Sequence, residues 1–561
     1  MIKKFRKLSG FAIISLSFMM ICGQAFASTN SNTGFNSSNK SKTNIDIDLN
    51  NESSNCEHVS NSSSITDSTG SNSSNSGSNP SIDTGNANLS GGFLTMSNEN
   101  DASLNAASPS AVDPSTLNDT TGANSTNKAY AELEEMIRVD NSNAAWIMNS
   151  LQSGANTGSN SLNGNNGGSG ENLTTGDTNT SVDVGNQTNK NQTNISNGTE
   201  TPSVIAKNIN TGANSYNKAG AESESRTNVE NSNFAEIGNN VSVNSNTGGN
   251  SINNNNIVSA AEVSAAEMDP TTGNANVSVN IDNEANKNMT DITAGMVGTV
   301  KAANENTGYD SSNKARTEAE NEINVSNSNV ADSGVSNNVS VNSNTGDNSM
   351  NNNTASSSSL GLSTGAANTV VGVSNLLNSN STTVNTGSAG DLTAKNDNTG
   401  ANSTNIAKAE SENETDVSNS NYAEVNNQIG VSANTGSNSV SNNNDGANNI
   451  STGNANTTIA VMNALNANET TVNSASPSSV SASNTTTGSG SYNEAKAESE
   501  NSVNVENNNK AEVNNTVNVN SNTGGNSSSG NTGSSSISTG NANVTFGAAT
   551  VSNLNNTGIS N

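Results

Sequence analysis

Residues 399–435 alternate between two kinds of residue. Every charged residue and the one aromatic, Tyr422, stand at even positions, whereas the odd positions hold small, apolar and Asn residues. A period of two is the pattern of a β-strand with one buried face. The run is several times longer than an ordinary strand of about 3–10 residues, so we expect the chain to bend while it keeps the two faces.

The same alternation returns in six copies, and three short glycine-containing marks locate each copy. The first mark, Asn/Thr-Thr-Gly-x-Asn/Asp/Gly-Ser-x-Asn, has its glycine at Gly34, Gly122, Gly212, Gly308, Gly400 and Gly488. The second, mostly Asn-Thr-Gly-x-Asn-Ser, has Gly70, Gly158, Gly248, Gly346, Gly436 and Gly524. The third, typically Ser/Thr-Thr-Gly-Asn-Ala-Asn, has Gly85, Gly176, Gly273, Gly365, Gly453 and Gly540. Such a repeat indicates one structural unit that stacks on its neighbours.

The spacing of the marks separates strand from loop. The first and second glycines are 36 residues apart in five copies and 38 in the fourth. Both values are even, so the two-residue insertion returns later side chains to their original face. The second and third glycines are 15 to 25 residues apart, which indicates a loop. All six prolines lie outside the 36-residue windows, where a strand would exclude them, and the proline-bearing segments 97–114 and 186–202 are expected to be loose.

These spacings predict an all-β chain folded as a β-solenoid (β-helix) of six repeats of about 90 residues, with coils of roughly 18 residues. Charges of the buried parity are few in the windows, namely Glu57, Asp67 and Glu135, and two of them belong to the first copy. The predicted segments are a signal peptide at 1–27, a degenerate first repeat at 28–115, repeat 2 at 116–205, repeat 3 at 206–301, repeat 4 at 302–393, repeat 5 at 394–481 and repeat 6 at 482–561.

Composition limits how such a chain can build a core. Hydrophobic residues make up 29% and aromatic residues 2% of the 561 residues. This favours either disorder or a thin architecture with a narrow core, but a disordered linker has no reason to keep charges on one parity in six copies. Helix is the other alternative, because residues 128–138 contain good helix formers, whereas the equivalent segments of other copies contain poorer ones. The net charge of −29 excludes the basic footprint of a nucleic-acid-binding protein.

The N-terminus predicts export. Four basic residues precede an apolar run at 11–21, and residues 25–27 read Ala-Phe-Ala, the small-residue pattern of a signal-peptide cleavage site. The basic residues are Lys3, Lys4, Arg6 and Lys7. Cys22 leaves a lipoprotein signal as an alternative, although Ile21 stands where such a site needs a small residue. We expect a secreted, extracellular protein at the cell surface, without a membrane span.

No catalytic constellation is visible, and we predict no enzyme, no catalytic residue, no cofactor and no metal site. The only histidine, His58, follows Cys56 by two residues, and two ligands cannot complete a zinc site. Paired carboxylates such as Glu410 and Glu412 lie on the outward face, where a weak divalent-cation role is the alternative to a solvated surface. A polysaccharide-degrading β-helix would need clustered acids in a cleft, and the sequence does not indicate one.

Asparagine at buried positions needs a special arrangement. Pairs at odd positions recur in three copies, as Asn327/Asn329, Asn419/Asn421 and Asn507/Asn509. Buried amides are costly unless they are hydrogen-bonded. We therefore predict that these side chains form ladders along the stacking axis, as asparagines do in cross-β structures.

The repeats resemble those of the curlin-like secreted proteins that form bacterial extracellular fibres. The likeness is carried by Asn at inward positions, by Ala after a Gly-x-Asn-Ser turn (Gly400-Ala-Asn-Ser and then Ala407), and by the signal peptide. The short curlin repeat with its Gln-x-Gly spacing is absent, and the repeat here is much longer. The resemblance implies a fibre or biofilm-matrix subunit.

Two functions are therefore expected. The first is a structural protein of the cell surface or extracellular matrix that assembles end to end with its own copies. The second is a rod-like adhesin or carbohydrate-binding solenoid whose outward face binds surface glycans or other matrix components. The candidate contact points on that face are the outward aromatic residues Tyr130, Trp146, Tyr216, Phe234, Tyr422 and Tyr492.

Overall fold

The structure is a computed structural model. It describes residues 27–75, 80–106, 113–165, 172–197, 203–257, 269–294, 298–355, 359–387, 390–444, 446–475 and 479–560. The predicted signal peptide, apart from Ala27, lies outside the described residues, as do Pro109, Pro202 and Pro477.

The described residues form β-strands and include no helix, so the all-β prediction is confirmed. The helical alternative for residues 128–138 is wrong, because they lie inside a strand. The strands are β1 (Ala27–Thr33), β2 (Ser38–Ser68), β3 (Ser73–Asn75), β4 (Ser81–Asp83), β5 (Ala87–Ala106), β6 (Ser115–Thr121), β7 (Thr126–Asn156), β8 (Ser161–Asn163), β9 (Asn172–Thr174), β10 (Thr178–Asn197), β11 (Val204–Thr211), β12 (Tyr216–Asn246), β13 (Ser251–Asn253), β14 (Asn256–Ile257), β15 (Ala275–Thr293), β16 (Val300–Thr307), β17 (Ser312–Asn344), β18 (Ser349–Asn351), β19 (Thr354–Ala355), β20 (Leu360–Ser363), β21 (Ala367–Asn385), β22 (Leu392–Thr399), β23 (Thr404–Asn434), β24 (Ser439–Ser441), β25 (Asn448–Ser451), β26 (Ala455–Asn473), β27 (Val480–Thr487), β28 (Tyr492–Asn522), β29 (Ser527–Ser529), β30 (Ser535–Ser538) and β31 (Ala542–Ser560).

Equivalent strands of successive repeats pair in parallel, so each repeat forms one layer of a stack. The long sheet has the order β2-β7-β12-β17-β23-β28, and the middle sheet has β31-β26-β21-β15-β10-β5. The side sheet is β1-β6-β11-β16-β22-β27, and the corner sheet is β29-β24-β18-β13-β8-β3. Because each of these four sheets follows the order of the repeats, layer 1 and layer 6 are its two edges.

The predicted coil of roughly 18 residues is wrong. Residues 404–434 form one unbroken strand, β23, and Asn419 pairs with Asn327, one whole repeat earlier. At about 3.3 Å per residue, 31 residues extend about 100 Å. Alternation fixes which face of a strand is buried, but it carries no information on where the strand ends, so one long strand satisfies the spacing as well as two short turns would.

The predicted faces are confirmed. Every odd position from Ser403 to Thr435 is buried. In the fourth copy, the long strand accommodates its two extra residues as a bulge between Ala331 and Val335, and Val335 returns to the core. The even insertion therefore preserves the faces, as its parity predicts.

The core is a narrow layer between the long sheet on one side and the middle and side sheets on the other. Val241 and Val243 of β12 share an apolar cluster with Val182 and Val184 of β10. Residues 186–197, which were expected to be loose, belong to β10, and Ile195 packs in a second cluster with Val229. Residues 97–106 of the other segment belong to β5 in the same way, so the loose-segment prediction is wrong for both of these parts of the chain.

The glycines of the second mark allow the layers to approach each other closely. A Cβ built on Gly248 would lie 2.0 Å from the carbonyl oxygen of Gly346 in the next layer. The residue that follows this glycine carries the positive φ of the corner, as at Ser159 (φ 62). These glycines are therefore explained by the space between layers, where a side chain would collide with backbone.

Candidate assembly edges

Buried asparagines provide the polar part of the core, and the predicted ladders are confirmed. The Nδ2 of Asn327 donates to Oδ1 of Asn419 at 2.8 Å, and Asn419 donates to Asn507 at 2.8 Å. Asn329 donates in the same way to Asn421 at 3.0 Å. Each step passes from one layer to the next, so an asparagine is satisfied by its own equivalents.

In the described part of the chain, seven ladders of inward-facing asparagines cross all six layers. Their first and last members are Asn30 and Asn484, Asn39 and Asn493, Asn55 and Asn509, Asn61 and Asn515, Asn72 and Asn526, Asn98 and Asn553, and Asn100 and Asn555. We call them the spanning ladders. All of them donate from the earlier layer to the later one, so the stack has a direction.

Two spanning ladders on facing sheets are also bonded across the core. Asn329 of the long sheet accepts from Nδ2 of Asn288 at 2.9 Å and donates to Oδ1 of Asn380 at 2.7 Å, both in the middle sheet. Together with its bonds to Asn233 and Asn421, it makes four hydrogen bonds, which is the full capacity of an amide side chain. Hydrogen bonds between amides therefore join the two facing sheets across the core, in addition to the contacts between apolar side chains.

The ladders of the middle sheet were not predicted, although the sequence carries a signal for one of them. Asn378 has φ 59, and at this residue the strand exchanges its inward and outward faces. Its Nδ2 donates to the backbone oxygen of Tyr422 at 2.7 Å and to Asn466 at 3.0 Å. An asparagine stands thirteen residues after the third-mark glycine in every copy. This fixed offset reveals the position even though the alternation breaks there.

Each ladder needs a donor in the preceding layer, and one position shows the consequence when that donor is missing. The first layer has Ser53 where the next five layers have Asn141 and its equivalents. The hydroxyl of Ser53 donates to Asn100 instead, at 2.7 Å. Among the described residues, the buried Oδ1 of Asn141 has no partner. An incomplete layer therefore leaves the next layer unsatisfied.

Layers 1 and 6 are the two edges of the described stack, and none of the described residues covers them. Core positions of layer 6 are exposed, with Val544 at 51%, Phe546 at 50% and Ile559 at 52%. Their equivalents in layer 5 are buried, as Ile459 at 1% shows. Beside them run the unpaired backbone groups of β28 and β31, which are a template for pairing with another chain.

The outer face of the long sheet carries rows of carboxylates in register. Burial raises the pKa of Glu222 above its usual value, and the neighbouring carboxylates of Glu318 and Glu132 raise it further. Hydrogen bonding to Lys408 lowers the pKa of Glu410. The rows are thus under mutual repulsion that scattered basic residues relieve in part.

The predicted contact aromatics are on this outer face, but most are half covered by neighbouring layers. The rings of Trp146 and Phe234 are 5.3 Å apart between centroids. The ammonium of Lys218 lies 5.1 Å from the ring of Tyr130, and Lys510 lies 4.8 Å from Tyr422. These contacts join adjacent layers, so they stabilise the stack through cation–π and aromatic attraction.

The Cys56–His58 segment lies on β2, where Cys56 is an exposed free thiol. Within the described part of the chain, no group of three or more His, Cys, Asp or Glu side chains is arranged to hold a metal ion. None of the described segments is a helix long and apolar enough to cross a membrane.

Comparison with protein-family models, with curated proteins and with solved structures gave no match. Within the described residues, the exposed core positions of layer 6 are the feature with the clearest chemical consequence.

Proposed function

We propose that this protein is a secreted structural subunit of the cell surface or extracellular matrix, that its six layers form a β-solenoid with one repeat per coil, and that copies assemble end to end into fibres. The observation that supports this proposal is the edge at layer 6, whose core side chains no described residue covers. Stacked-repeat proteins need end layers with a polar outer face to stay soluble. Here layer 6 keeps the core chemistry of the interior, with Phe546 and Val544 open to solvent.

The chemistry of the edges suits addition of further layers. A strand of 31 residues at each edge offers a long row of backbone donors and acceptors. The amide ladders that end there gain a partner when another layer is added. The signal peptide predicted at 1–27 and the resemblance to curlin-like fibre subunits are consistent with assembly outside the cell.

Electron microscopy and fibre diffraction of the secreted protein test the proposal. Assembly should give unbranched fibres with a strong reflection along the axis at about 4.8 Å, the spacing of paired strands. Six layers at that spacing predict an axial subunit repeat of about 29 Å. Dispersed single particles at all concentrations would refute assembly.

A groove on the outer face of the long sheet supports the second candidate, a carbohydrate-binding or adhesive solenoid. Gly220 leaves a depression of about 310 Å³ between layers, lined by Tyr130, Lys218, Arg316 and Glu222 among others. An aromatic ring beside charged donors and acceptors can bind a sugar ring. A glycan array with the wild-type chain and the Tyr130→Ala variant tests this function, and equal signals from both chains would exclude the groove.

A further inference from the structure

We propose that copies join head to tail and in register, with layer 6 of one copy stacked on layer 1 of the next; this inference rests on the proposed end-to-end assembly. The partner of each edge is therefore a second copy of this chain, at the opposite edge. Three independent features of the two edges support this polarity: the direction of the amide ladders, the sizes of apolar side chains and the position of one charge pair.

The amide ladders make the two edges complementary. Within the stack, Nδ2 of Asn427 in layer 5 donates to Oδ1 of Asn515 in layer 6 at 2.7 Å. The Nδ2 of Asn515 then faces the open edge, where the register of the sheet brings Oδ1 of Asn61 from the next copy. Layer 6 stacked on layer 6 would instead place donors against donors. Exposed rows donate in the opposite direction, as from Asn179 to Asn88, and they too are matched only head to tail.

Side-chain volumes at the same edges are also complementary. Two adjacent core positions of the middle sheet carry Val, Ile or similar residues in the inner layers, as at Val182 and Val184. Layer 1 has Gly91 and Phe93 at these positions, whereas layer 6 has Phe546 and Ala548. Head-to-tail stacking sets the large ring of Phe546 beside Gly91 and the small Ala548 beside Phe93. Matching large with small residues keeps the junction close-packed.

One position on the outer face carries a positive charge in layer 1 and a negative charge in layer 6. The position of Lys40 on the outer face of layer 1 is Lys128, Lys218 and Lys314 in the next three layers. In layer 6 the same position is Glu494. Head-to-tail register therefore places this carboxylate opposite the Lys40 ammonium of the next copy. The acidic rows further along the strand continue across the junction as they do inside the stack.

The native thiol of Cys56 provides a direct test of polarity. Its equivalent in layer 6 is Lys510, by way of Ala144, Phe234, Val330 and Tyr422. Both residues are on the outer face, so neither enters the core. One chain is the secreted protein, in which Cys56 is the only cysteine outside the predicted signal peptide. A second chain carries Cys56→Ser and Lys510→Cys. Each chain is treated with a short bismaleimide, alone and in an equimolar mixture, under conditions where electron microscopy shows fibres.

Head-to-tail register predicts cross-linked dimers in the mixture and none in either chain alone. Dimers in the second chain alone would show layer 6 against layer 6, and dimers in the first alone would show layer 1 against layer 1; either result would overturn the inference. Moving the introduced thiol to Ser502→Cys, about 26 Å along the strand, should abolish the cross-link. Fibres without cross-linking in the mixture would refute the register but leave assembly intact, whereas absence of fibres would refute the proposed function itself. Circular dichroism of each variant confirms that it retains the fold.

Discussion

Replacing Asn329 by alanine should reveal how much the amide core contributes to stability. Asn329 is fully buried in the fourth layer. The substitution removes four hydrogen bonds: two accepted, from Asn233 at 2.9 Å and Asn288 at 2.9 Å, and two donated, to Asn380 at 2.7 Å and Asn421 at 3.0 Å. A net contribution of about 0.5–1.5 kcal/mol per bond gives about 2–6 kcal/mol for the set.

The neighbouring amides reduce this cost because each keeps one other bond. Asn233 still donates to Asn288, Asn288 still donates to Asn380, and Asn421 still accepts from Asn380. No buried donor or acceptor is therefore left completely without a partner. We expect a loss of about 2–4 kcal/mol in the free energy of unfolding, the lower part of the range set by four bonds.

Equilibrium unfolding in guanidinium chloride, followed by circular dichroism on monomeric protein, measures this loss. The matched control is Asn342→Ala, which makes the same chemical change on the exposed face of the same strand, β17. Its one ladder bond, to Asn244 at 3.1 Å, is solvent-exposed, and the change should stay within about 0.5 kcal/mol. Equal shifts of the two midpoints would refute the conclusion that buried amides hold the layers together.

Three further substitutions test other parts of the structure. Ser53→Asn should stabilise the chain by about 1 kcal/mol, because it supplies the missing donor to Oδ1 of Asn141; an unchanged denaturation midpoint would show that this acceptor is already satisfied. Gly248→Ala should cost about 1–3 kcal/mol, since the new methyl group meets backbone of the next layer, whereas Gly430→Ala, whose Cβ would have no neighbour closer than 3.9 Å, should be neutral in the same melt. Glu222→Gln should stabilise slightly at pH 7, because a raised folded-state pKa means that the ionised carboxylate opposes folding; the gain should disappear below the ordinary glutamate pKa of about 4.3, and a gain that persists there would contradict the assignment.

The buried and exposed faces of the long strands were predictable because charged residues alternate with small or apolar residues along them. Lys408, Glu410 and Glu412 alternate with Ala409 and Ser411, and only one parity can be buried without burying charge. The ladders of the long sheet were predictable for a related reason. A buried asparagine that recurs at the same offset in successive repeats can form its hydrogen bonds with the equivalent asparagine of the next repeat.

The length of a layer was not predictable in the same way. Parallel strands that pair must present the same face to the core at each paired position. A partner strand 18 residues away and one a whole repeat away both meet this condition, so alternation does not distinguish them. The middle sheet was missed because Asn378 and its equivalents reverse the faces within one strand. A period-2 pattern that changes phase is indistinguishable from irregular structure until the copies are aligned with each other.

The ladders also explain how a composition typical of disorder can support a fold. An isolated layer would bury amides that it cannot satisfy by itself, so its stability depends on the layers above and below. Each inner layer both receives and donates along every spanning ladder, as Asn421 does between Asn329 and Asn509, while layers 1 and 6 complete only one side. Joining two copies converts one edge of each into interior. In the proposed fibre, the hydrogen bonds that join layer to layer within one copy also join each copy to the next.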